Sequence, residues 1–167
     1  MPDQRVLGVD TSLRSTGVGV VEARGSSYRC ISWDRIKNPA TRSHSESLAH
    51  LHREMEAIIQ RDQPSVIAIE GIFFSKNVRT AVTLGQARGV VLALCALNKL
   101  DVYEYSPRSV KQAVVGNGNA HKEQVARMIK VLLSLTEEPP DDAADALALA
   151  ISHLHQSRLG LTKAKKL

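Results

Sequence analysis

Hydrophobic and polar positions along the chain follow two different periods, and the changes between them predict the order of strands and helices. Short apolar runs rich in valine and glycine predict strands at residues 5–10, 16–22 and 27–34. Polar turns join these runs, so we expect the chain to open with an antiparallel meander.

Helical and strand patterns alternate over the rest of the chain. Apolar residues at helical spacing predict helices at residues 45–61, 77–97, 106–115, 121–135 and 141–156. Two further apolar runs predict strands at residues 65–70 and 101–105. This order predicts an α/β fold with a five-stranded mixed sheet, first antiparallel and then parallel, that is flanked by helices.

Length and composition predict one soluble globular domain. A chain of 167 residues with 43% hydrophobic and 23% charged residues can bury a substantial core. We place the domain at residues 1–158 and expect the basic segment at residues 159–167 to be a flexible tail.

Targeting and redox signals predict a cytoplasmic protein that does not contact a membrane. The richest apolar segment, residues 87–97, is interrupted by Arg88 and Gly89, so we expect no membrane span. The N-terminal residues pass directly into a predicted strand and lack the basic and apolar regions of a signal peptide. Cys30 and Cys95 are far apart in apolar contexts, which favours reduced thiols rather than a disulfide or a zinc site.

Two apolar runs end in an acid, Asp10 in the first strand and Glu70 in the fourth. An ion at the edge of a hydrophobic core needs a compensating partner. On the last predicted helix Asp142 and Asp145 are three residues apart and therefore share a face. Asp141 follows two prolines, and we expect it to cap this helix.

These acids predict a metal site if the two strands are neighbours and the last helix crosses their ends. Two carboxylates about 4 Å apart repel by roughly 4 kcal/mol at an effective dielectric constant of about 20. Oxygen ligands alone select hard ions such as Mg²⁺ or Mn²⁺, and paired ions of this kind serve phosphodiester hydrolysis. The alternative is that each acid separately points to water or, for Asp142, stabilises the start of the helix.

Positive charge favours a polyanionic partner without proving one. The formal net charge is +5 and the isoelectric point about 9.4. Five basic residues lie near the glycine-containing loop at residues 116–120: Arg108, Lys111, Lys122, Arg127 and Lys130. They suit a phosphate clamp, although a solvated surface is the alternative. Charge and placement alone add Arg14, Lys76 and Arg79 as candidates.

The chain resembles the RuvC family of Holliday-junction resolvases, which are ribonuclease H-like nucleases. Five motifs in family order carry the resemblance: LGVDTSLRSTGVGV, IAIEGIFFSKN, TLGQARGV, VKQAVVGNGNAHK and DAADALALAISH. Together they span nearly the whole chain. The D-x-S turn alone would be weak evidence, because sugar kinases and actin-like ATPases share it.

The resemblance implies a ribonuclease H-like fold and a homodimer that makes paired nicks in a four-way DNA junction. It implies catalysis with two Mg²⁺ ions, or Mn²⁺ in their place, by Asp10, Glu70, Asp142 and Asp145. It places Lys111 and Lys122 near the DNA backbone or the scissile phosphate. It also implies cooperation with a branch-migration motor.

Two phenylalanines, Phe73 and Phe74, directly follow the strand that ends in an acid. They either anchor a loop on the core or stack on an unpaired base at the centre of a junction. The resemblance assigns the stacking role to Phe73.

Small residues form a row on the predicted helix at residues 77–97, at Gly85, Gly89 and Ala93. Such a row allows another backbone to approach closely. It faces either the sheet of the same chain or, as the resemblance implies, a second subunit.

Two other functions remain open at this level. One is a related nuclease that cleaves RNA–DNA hybrids, and the other is a non-catalytic protein that binds junctions by charge and shape. Comparing cleavage of four-way junctions with cleavage of hybrid duplexes separates the first from a resolvase, and metal-dependent nicking of a junction excludes the second.

Overall fold

A mixed six-stranded sheet forms the centre of the computed structural model, which describes residues 4–72, 77–160 and 164–167. The strands are β1 (Arg5–Asp10), β2 (Ser15–Arg24), β3 (Ser27–Lys37), β4 (Val66–Glu70), β5 (Asp101–Tyr105) and β6 (Lys165–Lys166). Their order in the sheet is β3-β2-β1-β4-β5-β6. β1, β2 and β3 form the predicted antiparallel meander, and β4 and β5 run parallel to β1.

Within the described residues, five helices flank the sheet. They are α1 (His44–Asp62), α2 (Val78–Leu97), α3 (Pro107–Val115), α4 (Lys122–Leu132) and α5 (Asp141–Arg158). One face of the sheet packs with α5, α3 and α4, and the other face packs with α1 and α2. The predicted α/β architecture with a meander followed by parallel strands is confirmed.

The predicted number of strands was wrong by one. Residues from the basic segment that we expected to be a flexible tail pair with β5, where Lys165 lies opposite Glu104. The ammonium of Lys166 also lies 2.7 Å from the carboxylate of Asp101. Two consecutive lysines carry no hydrophobic pattern, so only the free edge of β5 reveals this strand.

The cap predicted for the last helix was also wrong. Pro140 is the N-cap residue of α5, and Asp141 is already the first helical residue. The carboxylate of Asp141 lies 3.5 Å from the ammonium of Lys122. Pro140, with φ −56° and ψ 152°, takes the N-cap position, and the helix begins at Asp141 as the sequence predicts.

The helix α2 carries an exposed apolar row on a largely unburied surface. By length and composition alone its 20 residues could cross a membrane, so the interruption of the apolar segment by Arg88 and Gly89 was not sufficient reason to expect no span. One such helix is weak evidence for a span, because core helices of soluble proteins pass the same test. The exposed row consists of Val78, Val82, Gly85, Gly89, Ala93 and Leu97.

Candidate active site

Two of the predicted acids leave the sheet at the carboxyl ends of neighbouring parallel strands. The β1–β4 ladder pairs Val9 with Ile69, so Asp10 and Glu70 follow at the next position of each strand. Val9 and Ile69 belong to the core on the side of α1 and α2. Because side chains alternate along a strand, Asp10 and Glu70 point to the opposite face, which α5 covers.

Glycines on β1 and β2 let α5 lie directly against the sheet above these acids. A Cβ atom on Gly8 would lie 1.8 Å from the carbonyl oxygen of Ala146. A Cβ atom on Gly17 would lie 1.8 Å from the carbonyl oxygen of Asp142. Only the absence of a side chain permits contacts this short, so the glycines determine how close α5, and with it Asp145, comes to Asp10.

Three of the four predicted acids line one cavity of about 180 Å³. These are Asp10, Glu70 and Asp145, and the lysines Lys111 and Lys122 line the same cavity. Its other lining residues are Pro107, Val110, Val125, Ala148 and Leu149. The structure therefore brings together acids from β1, β4 and α5 that are up to 135 positions apart in the sequence.

The cavity carries more negative charge than its cations offset. The pKa of Asp10 is raised to about 7, first because burial desolvates the carboxyl and then because Asp145, Glu70 and Asp142 repel its charge. Burial, followed by repulsion from Asp145, also raises the pKa of Glu70. Burial raises the pKa of Asp145 as well, although Lys122 acts in the opposite direction.

The fourth acid, Asp142, lies at the rim rather than in the lining. Its carboxylate accepts a hydrogen bond from the Ser15 hydroxyl at 2.5 Å. It is nevertheless near enough for its charge to raise the pKa of Asp10. Sequence reasoning missed Ser15, because one serine in a polar turn gives no signal of a partner 127 positions away.

The donor set suits a hard divalent cation in its chemistry. Buried carboxylates with raised pKa values are groups that an oxygen-seeking cation stabilises. Over residues 4–72, 77–160 and 164–167, no three His, Cys, Asp or Glu side chains are placed to hold one ion together. Two of the acids have other partners. Asp142 accepts a hydrogen bond from Ser15, and Asp145 forms an ion pair with Lys122.

The other predicted binding residues are distributed around this cavity. Arg79 lines a second cavity of about 480 Å³ together with Arg14, Thr80 and residues of the β1–β2 turn. Arg108 packs against the glycine loop, where a Cβ atom on Gly118 would lie 2.7 Å from its Cγ atom. Predictions for Phe73, Phe74 and Lys76 fall outside the described residues.

The predicted row of small residues does not face the sheet of its own chain. Gly85, Gly89 and Ala93 are all exposed on α2. A Cβ atom on Gly85 or Gly89 would meet no other atom within 4 Å. The row is therefore open for a partner, and the alternative that it packs on the sheet was wrong.

Sequence reasoning also missed Arg88, which it treated only as an interruption of an apolar segment. The structure buries this arginine beneath Glu70 and pairs it with Glu104. A signal did exist, because α2 contains no acidic residue that could pair with Arg88 along the helix.

A mixed sheet of this order, with acids at the ends of two parallel strands and on the helix across them, defines the ribonuclease H-like class of nucleases. The yeast mitochondrial Holliday junction resolvase Ydc2 supports this fold with a TM-score of 0.69 over 96% of the chain, at 18% identity.

Sequence comparison identifies the family. The model of the family described as crossover junction endodeoxyribonuclease RuvC matches residues 6–153. The RuvC protein of Caldicellulosiruptor saccharolyticus is 47% identical over 92% of this chain and 93% of its own length. The RuvC protein of Halothermothrix orenii is 46% identical over 92% of this chain and 94% of its own length. The chain belongs to the RuvC family.

A solved structure of the same family has a closely similar fold. Thermus thermophilus RuvC, in complex with a Holliday junction substrate, matches with a TM-score of 0.92 and 34% identity. The match covers 98% of this chain and 99% of the other.

Proposed function

We propose that this protein is an endodeoxyribonuclease that resolves Holliday junctions by hydrolysing phosphodiester bonds at the acidic cavity. The observation that carries the proposal is the convergence of Asp10, Glu70 and Asp145 in one cavity that also contains two lysines. Family membership supports the substrate, because the Thermus thermophilus relative was solved with a junction.

Asp10, Glu70 and Asp145 would hold Mg²⁺, or Mn²⁺ in its place, with Asp142 as a further ligand from the rim. Two such ions would offset the acidic charge and polarise the phosphate for attack by water. The raised pKa values of the three lining acids support this assignment, because a divalent cation offsets the burial and, after it, the repulsion that raise them.

The lysines of the cavity would orient the DNA strand. Lys122 lies 3.1 Å from Asp145, and Lys111 lines the same space, so a phosphate that enters meets two ammonium groups beside the acids. We assign backbone contacts farther along the junction to Arg79 and Arg108. Phe73 and Lys76 remain predicted DNA-binding residues on the sequence evidence.

We propose a homodimer that forms through α2. The exposed row from Val78 to Leu97 is apolar and includes Gly85 and Gly89, which leave room for a second helix to approach. A two-fold pair would present two active sites to a junction that is itself nearly two-fold symmetric, and would thereby pair the nicks. Cooperation with a branch-migration motor and a cytoplasmic location remain predictions; the free thiols of Cys30 and Cys95 are compatible with the latter.

The test is cleavage of a synthetic four-way junction that is labelled on each strand in turn. With Mg²⁺ we expect paired, symmetric cuts in two like-oriented strands, and in EDTA we expect binding without cuts. Linear duplex of the same sequence and an RNA–DNA hybrid are the matched substrates. Preferential cleavage of the hybrid would favour the ribonuclease alternative, and binding without any metal-dependent cut would favour the non-catalytic one.

A further inference from the structure

Arg88 is buried in the middle of α2, with 7% of its surface exposed. Within the part of the chain that the structure describes, no other arginine or lysine is buried to this degree. One guanidinium nitrogen donates to the main-chain oxygen of Glu70 at 2.6 Å, and another pairs with the carboxylate of Glu104. The charge therefore lies directly beneath the acidic cavity without entering its lining.

The arginine contacts the sheet at the end of β4. Glu70 is the last residue of β4, and the Gly71 amide makes the next bond, to the carbonyl of Tyr105 at 2.9 Å. The side chain of Glu104 lies beside this peptide, because a Cβ atom on Gly71 would be in ordinary contact with its Cγ atom at 3.4 Å. Arg88 and Glu104 thus hold the peptide that carries the Glu70 carboxylate.

A buried ion pair is a poor way to stabilise a fold, because apolar side chains of similar volume often serve equally well. A forked guanidinium instead fixes two acceptors at once with defined geometry. That property is useful beneath a ligand whose carboxylate must be held within a fraction of an ångström.

We infer that Arg88, fixed by Glu104, is a positioning residue for Glu70 that sets the affinity of the acidic cavity for divalent cations. It also joins the site to α2, whose outer face carries the exposed row. This inference rests on the proposed function for the identity of the ligand, and it goes further by naming a residue that touches neither metal nor DNA.

The experiment measures Mn²⁺ binding by calorimetry on EDTA-treated, DNA-free protein. Arg88→Met should lower the affinity about tenfold, the usual range for losing a support of a metal ligand. Arg88→Lys keeps the charge, but a lysine cannot hold two acceptors in the fixed geometry of a guanidinium. This variant should keep the fold and lower the Mn²⁺ affinity at least threefold.

Arg5→Met is the matched control. Arg5 also bonds a carbonyl, that of Asp62 at 2.5 Å, and a carboxylate, that of Glu22 at 2.7 Å. It lies at the start of β1, about 16 Å of extended strand from Asp10. We expect Arg5→Met to leave the affinity unchanged even where it lowers the melting temperature.

The inference would be overturned if the wild type, Arg88→Lys and Arg5→Met bound Mn²⁺ with equal affinity. It would also be overturned if none of the three proteins bound Mn²⁺. Junction cleavage by the wild type is assayed in parallel. An inactive wild type whose metal affinity still depends specifically on Arg88 would refute the proposed function and leave the positioning role in place.

Discussion

The ammonium of Lys122 lies 3.1 Å from a carboxylate oxygen of Asp145, so the first residue of α4 is ion-paired with the acid that α5 contributes to the cavity. The same ammonium lies 3.5 Å from Asp141. It lowers the pKa values of Asp10 and Glu70, yet both remain above their ordinary values. The lysine thus offsets only part of the effect of burial and of repulsion between the acids.

Neutralising either strand-end acid should abolish cleavage and preserve binding. Asp10→Asn and Glu70→Gln keep the shape of the side chain but remove the charge that would hold a divalent cation. We expect cleavage of a four-way junction to fall at least 10³-fold, an order of magnitude typical for an essential catalytic group. Gel-shift titration in EDTA should give the wild-type affinity. Cleavage that persists in both variants would refute the assignment.

Asp10→Asn should also make the metal-free protein more stable at alkaline pH. The folded-state pKa of Asp10 is about 7 against an ordinary 3.8, so the folded state binds the extra proton between these values. Stability therefore falls as pH rises from about 4 to 7, and the full cost, at most about 4 kcal/mol, is present above pH 7.

Urea unfolding in EDTA at pH 5 and pH 8 measures this effect. The advantage of Asp10→Asn over wild type should be larger at pH 8 than at pH 5, and Mg²⁺ should reduce it. If Asp10→Asn were less stable than the wild type at pH 8, the prediction that the ionised Asp10 carboxylate destabilises the metal-free protein would be wrong.

Gly8→Ala should displace α5 and damage the site at a distance. The new Cβ atom would overlap the Ala146 carbonyl, so we expect a loss of about 2–4 kcal/mol in the free energy of unfolding. Cleavage should fall as well, because Asp145 moves with the helix. Glu56→Ala is the control, because Glu56 is exposed on α1, which packs on the face of the sheet opposite α5.

Val82→Asp should convert the proposed dimer to a monomer. Val82 is 54% exposed in the middle of the apolar row on α2, and a carboxylate there would be desolvated on association. Analytical ultracentrifugation should give twice the 18.2 kDa chain mass for the wild type and the single mass for the variant. Val131→Asp, at a 71% exposed position on α4, is the control. A wild type that is monomeric at micromolar concentration would refute the dimer.

Lys122→Gln should reduce cleavage by about 10²-fold, in the range for losing one electrostatic contact to the reacting group. Binding of the junction should weaken by less than tenfold, because one lysine is a small part of a polyanion interface. The comparison of single-turnover rate with binding affinity checks this split. Equal losses in rate and affinity would indicate a role in binding alone.

Much of the fold follows from local patterns. The strand boundaries at residues 5–10 and 101–105 agree with the structure, and helix ends differ from prediction by at most a few residues. The spacing of hydrophobic residues depends only on residues that are near one another in the chain, so it identifies strands and helices and the acids at their ends. The two acids that each end an apolar strand, Asp10 and Glu70, also predicted correctly where an acidic cavity lies.

The sequence alone determined the elements, their order, the acids and the family resemblance, because each is carried by residues that are near one another in the chain. Tertiary structure alone decided that Arg88 bonds the carbonyl of Glu70 and pairs with Glu104, that Ser15 bonds Asp142, that two lysines extend the sheet and that the small-residue row faces outward. Each of these depends on which surfaces meet after folding. Gly8 shows the physical reason. Its lack of a side chain matters only because the backbone of α5 packs against β1 at this position, and that contact exists only in the folded chain.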